Sequence, residues 1–188
     1  IGYQHEDNIP QLFHFAQLLI SMKRSEARYA TVGTKRQFWQ IWRDEEDTDE
    51  AIAPLANRDL TNTEKDAIFS GDFSTARTYF EAMAAEGDRA VTAQDRTTYA
   101  LCRPERLLDL IRRFTVFDGG VRKVARHQQF FGIRRAVETV KQFDVSGARK
   151  GGVIWHTQGS GKSLTMVMLG RSLALDKTIR NPRILIVT

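Results

Sequence analysis

The residues best suited to do chemistry lie together at Thr157-Gln158-Gly159-Ser160-Gly161-Lys162-Ser163. Two glycines one residue apart let a loop adopt positive φ and turn its backbone N–H groups toward one point. The residues that follow suit a helix, with Leu164, Val167, Met168 and Leu173 on or near one face. A helix N-terminus adds unsatisfied N–H groups and a partial positive charge. The chemistry this pattern supports is phosphate binding. The loop would cradle a nucleotide's phosphates, and Lys162 would reach the β- and γ-phosphates, so turnover would depend on it. The Ser163 hydroxyl would ligate the Mg²⁺ that bridges the same oxygens. Val153-Ile154-Trp155 is apolar and β-prone, as for a buried strand entering the loop. The strict pattern G-x-x-x-x-G-K-[ST] has His156 where its first glycine belongs, so Thr157 leads instead. The bland alternative, a chance glycine turn beside a surface lysine, is disfavoured because strand, loop, helix and residue types agree.

A second element, Arg126-His127-Gln128-Gln129, lies about thirty residues before the loop lysine. A carboxamide offers both a donor and an acceptor and matches the edge of adenine, which would favour ATP over GTP. Gln129 is the better candidate and Gln128 the second. The bland alternative is a polar helix start with two surface glutamines.

These residues need elements to position them. Phe130, Ile133, Val137 and Val140 recur at three and four residues and predict an amphipathic helix. Upstream, Pro104 suits a first helical turn, and Leu107, Leu108, Ile111 and Phe114 trace an apolar stripe behind it. Asp118-Gly119-Gly120 breaks that helix, and a domain boundary is expected there. Thr61-Asn62-Thr63-Glu64 reads as a capping box. Ser74 is positioned to cap a helix over Thr75–Glu86 that ends at Gly87. Within Arg36–Arg43, Phe38 or Trp39 and Trp42 would share one helical face. A core aromatic cluster is the simpler reading of them, and base stacking the sharper one. Residues 10–20 are apolar without a clear period, and 147–152 is a turn.

The net charge of +5 over 188 residues hides an asymmetry. Residues 1–102 hold 11 basic and 17 acidic side chains, whereas 103–188 hold 17 and 6. Such a split suits a change of domain or task. The basic part could attract nucleic acid or nucleotide phosphates, and a plain solvated surface explains it as well. The acidic run Asp44 to Glu50 reads as a solvated loop. One cysteine, Cys102, excludes an internal disulfide, and no Cys/His spacing suits zinc. No apolar run is long enough to cross a membrane, and a cytoplasmic location is the default.

The form T-x-x-G-x-G-K-S, with Arg-x-x-Gln upstream, resembles superfamily-2 helicases and translocases. More specifically, GGVIWHTQGSGKSLTMVML over 151–169 resembles the motor start of type I restriction enzyme R subunits. Ile9–Phe13, Ala27–Thr31 and the Phe38/Trp42 segment resemble the region after the nuclease site of those subunits, and Leu107–Arg112 with Phe117 resembles the connection into the motor. Positions 45–100 carry the weakest likeness. The resemblance implies an α/β chain in two parts. Residues 1–118 would be the end of a restriction-endonuclease-like α/β domain plus a helical linker. Residues 119–188 would begin a RecA-like P-loop motor domain.

It also implies ATP and Mg²⁺ as cofactors, with Arg126, Gln129, Thr157, Gln158, Gly159, Ser160, Gly161, Lys162 and Ser163 at the nucleotide. Double-stranded DNA and the methyltransferase and specificity subunits of a restriction–modification complex would be the partners. No Asp or Glu is followed two positions later by Lys, so the E-x-K part of the nuclease site is expected outside this chain, as are the later motor motifs. The chain starts at Ile1, which suggests an internal piece, and Arg183 to Thr188 looks like the next motor strand. Competing readings are another superfamily-2 motor, a non-catalytic nucleotide- or DNA-binding module and, less favoured, a P-loop nucleotide kinase.

Overall fold

A computed structural model describes residues 2–4 and 7–187 of the chain. Strands β1 (Leu19–Lys23) and β2 (Glu26–Ala30) form an antiparallel hairpin in which Leu19 faces Ala30 and Lys23 faces Glu26. Residues 10–20 therefore divide into a short 3-10 turn over Pro10–Phe13 and the start of β1. The hairpin buries Ala27 and Tyr29 on one face. Its opposite face carries Ser21, Lys23, Glu26 and Arg28, with buried Ala30 at its end, as the period-2 alternation of paired strands requires.

The helix expected over Arg36–Arg43 is not formed. Only Arg36–Phe38 makes a 3-10 turn. Beyond it, Gln40 exchanges both backbone hydrogen bonds with Tyr29, at 2.8 and 3.0 Å. Those groups are thereby committed to β2 and unavailable to a helical ladder. The aromatic residues have separate fates: Trp42 is in the core and Phe38 is exposed.

Helices α1 (Asp49–Ala56), α2 (Asn62–Ile68), α3 (Ser74–Ala85) and α4 (Ala93–Cys102) follow. The capping box at α2 is present: Glu64 N–H donates to Thr61 Oγ1, and Thr61 N–H donates to Glu64 Oε2 at 2.8 Å. Ser74 does not cap α3. It lies inside the first turn, behind Phe73, and Gly87 just past the helix has φ +95°. Helix α5 (Pro104–Arg113) starts on its proline as expected. Its buried stripe is Arg106 and Leu110, continued by Phe114, so Leu108 is left exposed. The stretch Asp118-Gly119-Gly120 turns a second hairpin, β3 (Thr115–Asp118) with β4 (Val121–Val124). Both glycines have positive φ, +57° and +79°, as a two-residue hairpin turn demands. Helices α6 (His127–Lys141) and α7 (Lys162–Leu175) complete the elements.

Tyr29, Trp42, Leu101, Leu110, Phe114, Phe130, Phe131, Ile133 and Met168 belong to one hydrophobic cluster, so residues on both sides of position 118 contribute to it. Trp42 sits at its centre, with ring centroids 5.6 Å from Tyr29, 5.4 Å from Phe130 and 5.8 Å from Phe131. The Tyr29 hydroxyl donates to the Ala125 carbonyl at 2.9 Å, and burial drives that phenol's pKa well above its ordinary value.

The run Asp44 to Glu50 is no free solvated loop. Asp44 and Glu46 pair with Arg106, Glu46 also with Arg134, Glu45 with Arg135, Asp47 with Arg103, and Asp49 with Arg96. Arg106 is only 4% exposed and lies over the rings of Trp42, Phe130 and Phe131, which explains why α5 buries a cation. Burial alone would raise the Asp44 carboxyl, but hydrogen bonds from Trp42, Glu46 N–H and Arg106 outweigh it and hold it low. Four arginines of the basic part, Arg103, Arg106, Arg134 and Arg135, are thus neutralised by the acidic run.

Val153–Trp155 and residues 183–187 are not strands here. Among the described residues the ladders are β1–β2 and β3–β4. Val153, Trp155, Leu185 and Val187 are all more than 80% exposed, so these β-prone segments lack the neighbouring strand that would hydrogen-bond and cover them. The chain is mixed α/β, and no described helix is long and apolar enough to cross a membrane.

Candidate nucleotide-binding site

The glycine loop forms as its residue types predict. Gly159 has φ +75°, and Gly161, the residue before α7, has φ +87°. Thr157 closes the turn with its carbonyl, which accepts from the Ser160 N–H at 3.3 Å and the Ser160 hydroxyl at 2.7 Å. The Gly161 carbonyl accepts from Thr165 N–H at 3.0 Å and Thr165 Oγ1 at 3.1 Å. The N–H groups of Lys162, Ser163 and Leu164 precede that first helical bond and have no intrahelical acceptor. Thr157, Gln158, Gly159, Lys162 and Ser163 are exposed, while Ser160 and Gly161 are half-buried. On α7, Thr165, Met168 and Ser172 face inward, and Val167, expected on the apolar face, is exposed.

Gln129 reaches this loop from the first turn of α6. Its Oε1 accepts from the Arg126 N–H at 2.9 Å. Its Nε2 donates to the Gly161 carbonyl and to Thr165 Oγ1, each at 3.1 Å. The carboxamide is buried and its hydrogen-bonding edge is spent inside the chain, so in this structure it braces the loop and presents no free edge to adenine. Gln128 is at the surface, and half-buried Arg126 contributes its backbone N–H to the brace. The contact is close: a Cβ on Gly161 would lie 2.9 Å from Gln129 Nε2. The structure therefore brings Arg126, Gln129, Gly161 and the start of α7 together. Sequence reasoning missed Thr165, whose legible signal was a hydroxyl one turn after Gly161, able to bond back to that carbonyl.

The donor set fits a nucleotide's phosphates and their Mg²⁺. Backbone N–H groups start a helix, the Lys162 ammonium is exposed, and the Ser163 hydroxyl has no hydrogen-bond partner among the described residues. A Cβ at Gly159 would meet nothing within 4 Å, so glycine there serves backbone conformation rather than space.

The SWI2/SNF2 ATPase family model matches residues 128–188, which includes Gln129, the glycine loop and α7. The HindI type I restriction enzyme endonuclease subunit of Haemophilus influenzae is 39% identical over 94 residues, 47% of this chain and 9% of that protein. A Methanocaldococcus jannaschii protein, whose name assigns it as the MjaIXP endonuclease subunit of a type I restriction enzyme, is 24% identical over 186 residues. That alignment takes in 96% of this chain and 16% of the relative. A second from that archaeon, named for MjaVIIP, is 30% identical over 98 residues. The chain thus spans between 9% and 16% of the length of these curated relatives. No solved structure matches. The resemblance expected from the loop string is borne out: the chain is similar to endonuclease subunits of type I restriction enzymes, and its final third to SWI2/SNF2 ATPases.

Proposed function

We propose that this chain is part of the R subunit of a type I restriction enzyme, in which ATP hydrolysis drives movement along double-stranded DNA before endonucleolytic cleavage. Residues 1–118 belong, in this reading, to the end of the nuclease domain and a helical linker, and 119–188 to the start of a RecA-like motor. The partners are duplex DNA and the methyltransferase and specificity subunits, in the cytoplasm. The observation that carries the proposal is the glycine loop at the start of α7, braced from α6 by Gln129, within the segment matched by the ATPase family model.

The residues divide the work. Backbone N–H groups at 162–164, together with the Gly159–Gly161 turn, receive phosphate oxygens. The Lys162 ammonium neutralises charge that develops on the β- and γ-phosphates. The Ser163 hydroxyl is the chain's ligand for a nucleotide-bound Mg²⁺, which when present would neutralise the same oxygens. Thr157, Gln158 and Ser160 shape the loop, and Gln129 with Arg126 ties it to α6. Lys162→Ala in the intact subunit is expected to abolish ATPase activity and translocation while leaving the fold unchanged, because the side chain is exposed. Normal translocation by that variant would overturn the assignment.

A further inference from the structure

Most arginines of α4–α6 are neutralised by the acidic segment, but cations at the β1–β2 hairpin tip and in the turn that follows are not. Residues 21–39 hold five Lys or Arg and a single carboxylate, Glu26, within a half of the chain that is otherwise acidic. Glu26 pairs with Lys23 and Arg28 across the hairpin. Arg24 at the hairpin tip, with Lys35 and Arg36 in the following turn, pairs with no carboxylate among the described residues. A cleft of about 420 Å³ lies here, walled by the outer face of β1–β2 and by Arg36 and Trp39. The Trp39 ring is pinned by a 3.1 Å bond from its Nε1 to the Thr34 carbonyl, and the neighbouring Phe38 is 53% exposed.

We infer that this surface, formed by the outer β1–β2 face and the Lys35–Trp39 turn, is a contact for a single strand of DNA. The unpaired cations would take backbone phosphates, and Phe38 would stack on an exposed base. Arg36 and Trp39 line the cleft with Lys23 and Arg28, while Lys35 and exposed Phe38 stand beside Arg36 in the same turn. Cations with aromatic side chains among them match the pattern by which single strands are held without sequence readout. A small anion would need fewer charges and no exposed ring. The proposal rests on the restriction-subunit reading only for the choice of DNA over other strands.

The test is fluorescence anisotropy of a labelled 20-nucleotide single strand with the 188-residue chain across a series of NaCl concentrations. Lys35→Ala/Arg36→Ala should weaken binding about tenfold at low salt. It should also reduce the slope of log K against log salt by about 1.4, since each lost phosphate contact on a single strand accounts for roughly 0.7. Phe38→Ala should weaken binding about fivefold or more and leave the slope unchanged. Arg112→Ala/Arg180→Ala, which removes two exposed cations elsewhere, should bind as the unaltered chain does. Three results overturn the site: no binding by the unaltered chain, undiminished binding by Lys35→Ala/Arg36→Ala, or an equal loss in the Arg112/Arg180 control. Unaltered affinity in Phe38→Ala overturns the stacking role. The motor reading is tested by the ATPase activity of Lys162→Ala and this surface by strand binding of the Lys35/Arg36 and Phe38 variants, so failure of one and failure of the other are read by different assays.

Discussion

Substituting Gly161 and Gln129 separately and together tests the link between α6 and the glycine loop. Gly161→Ala meets two obstacles. An alanine at φ +87° sits in left-handed backbone at a cost of about 1–2 kcal/mol. Its Cβ would also stand 2.9 Å from Gln129 Nε2, so the carboxamide must move. That displacement breaks bonds to the Gly161 carbonyl and Thr165 Oγ1, which at about 1 kcal/mol each adds roughly 2 kcal/mol. The single substitution should therefore destabilise by about 3–4 kcal/mol. Made in a Gln129→Ala background it should cost only the backbone strain, about 1–2 kcal/mol. The expected coupling is about 2 kcal/mol, well outside the additivity of independent sites. Urea denaturation of the four proteins, followed by circular dichroism, measures it. Additive losses within about 0.5 kcal/mol would refute the brace, because independent sites agree to that level.

Two further perturbations probe the acidic segment and the charge pairs. Arg106→Ala should cost about 3–5 kcal/mol in the same assay, since it leaves the nearly buried Asp44 carboxylate without its cation; a loss below about 1 kcal/mol would show that this pair is not a buried one. At low pH, hydrogen bonds from Thr178 and Lys141 hold the Asp176 carboxyl down at about 2. A depressed carboxylate contributes stability that is present above its unfolded value near 3.9 and is lost as pH falls through the folded one. Stability should therefore decline between about pH 4 and pH 2, and Asp176→Asn should make that limb shallower; an identical acid limb in the variant would contradict the assignment.

Where sequence reasoning succeeded, the deciding atoms were close in the chain. The capping box at Thr61 and Glu64, the first-turn proline of α5, the periodicity of α6 and the glycine loop before α7 each depend on partners within about four residues. Where it failed, the partner was remote or missing. The 36–43 segment leaves the helix because Gln40 finds the Tyr29 backbone eleven positions earlier. Val153–Trp155 has the composition of a strand, but composition supplies no neighbour to pair with. The acidic run looked solvated because its cations lie 47 to 90 positions further along.

The sequence by itself determined the residue pattern of the proposed phosphate site: glycine at the positions needing positive φ, a lysine and a serine at the helix start, and a glutamine about thirty residues upstream. The tertiary structure alone decided what that glutamine does. Packing α6 against α7 buries Gln129 beside the Gly161 carbonyl, and a buried carboxamide must satisfy its hydrogen bonds with the groups it is buried against. The same holds for Arg106, a cation that only the convergence of Asp44, Glu46 and three aromatic rings makes tolerable in the interior.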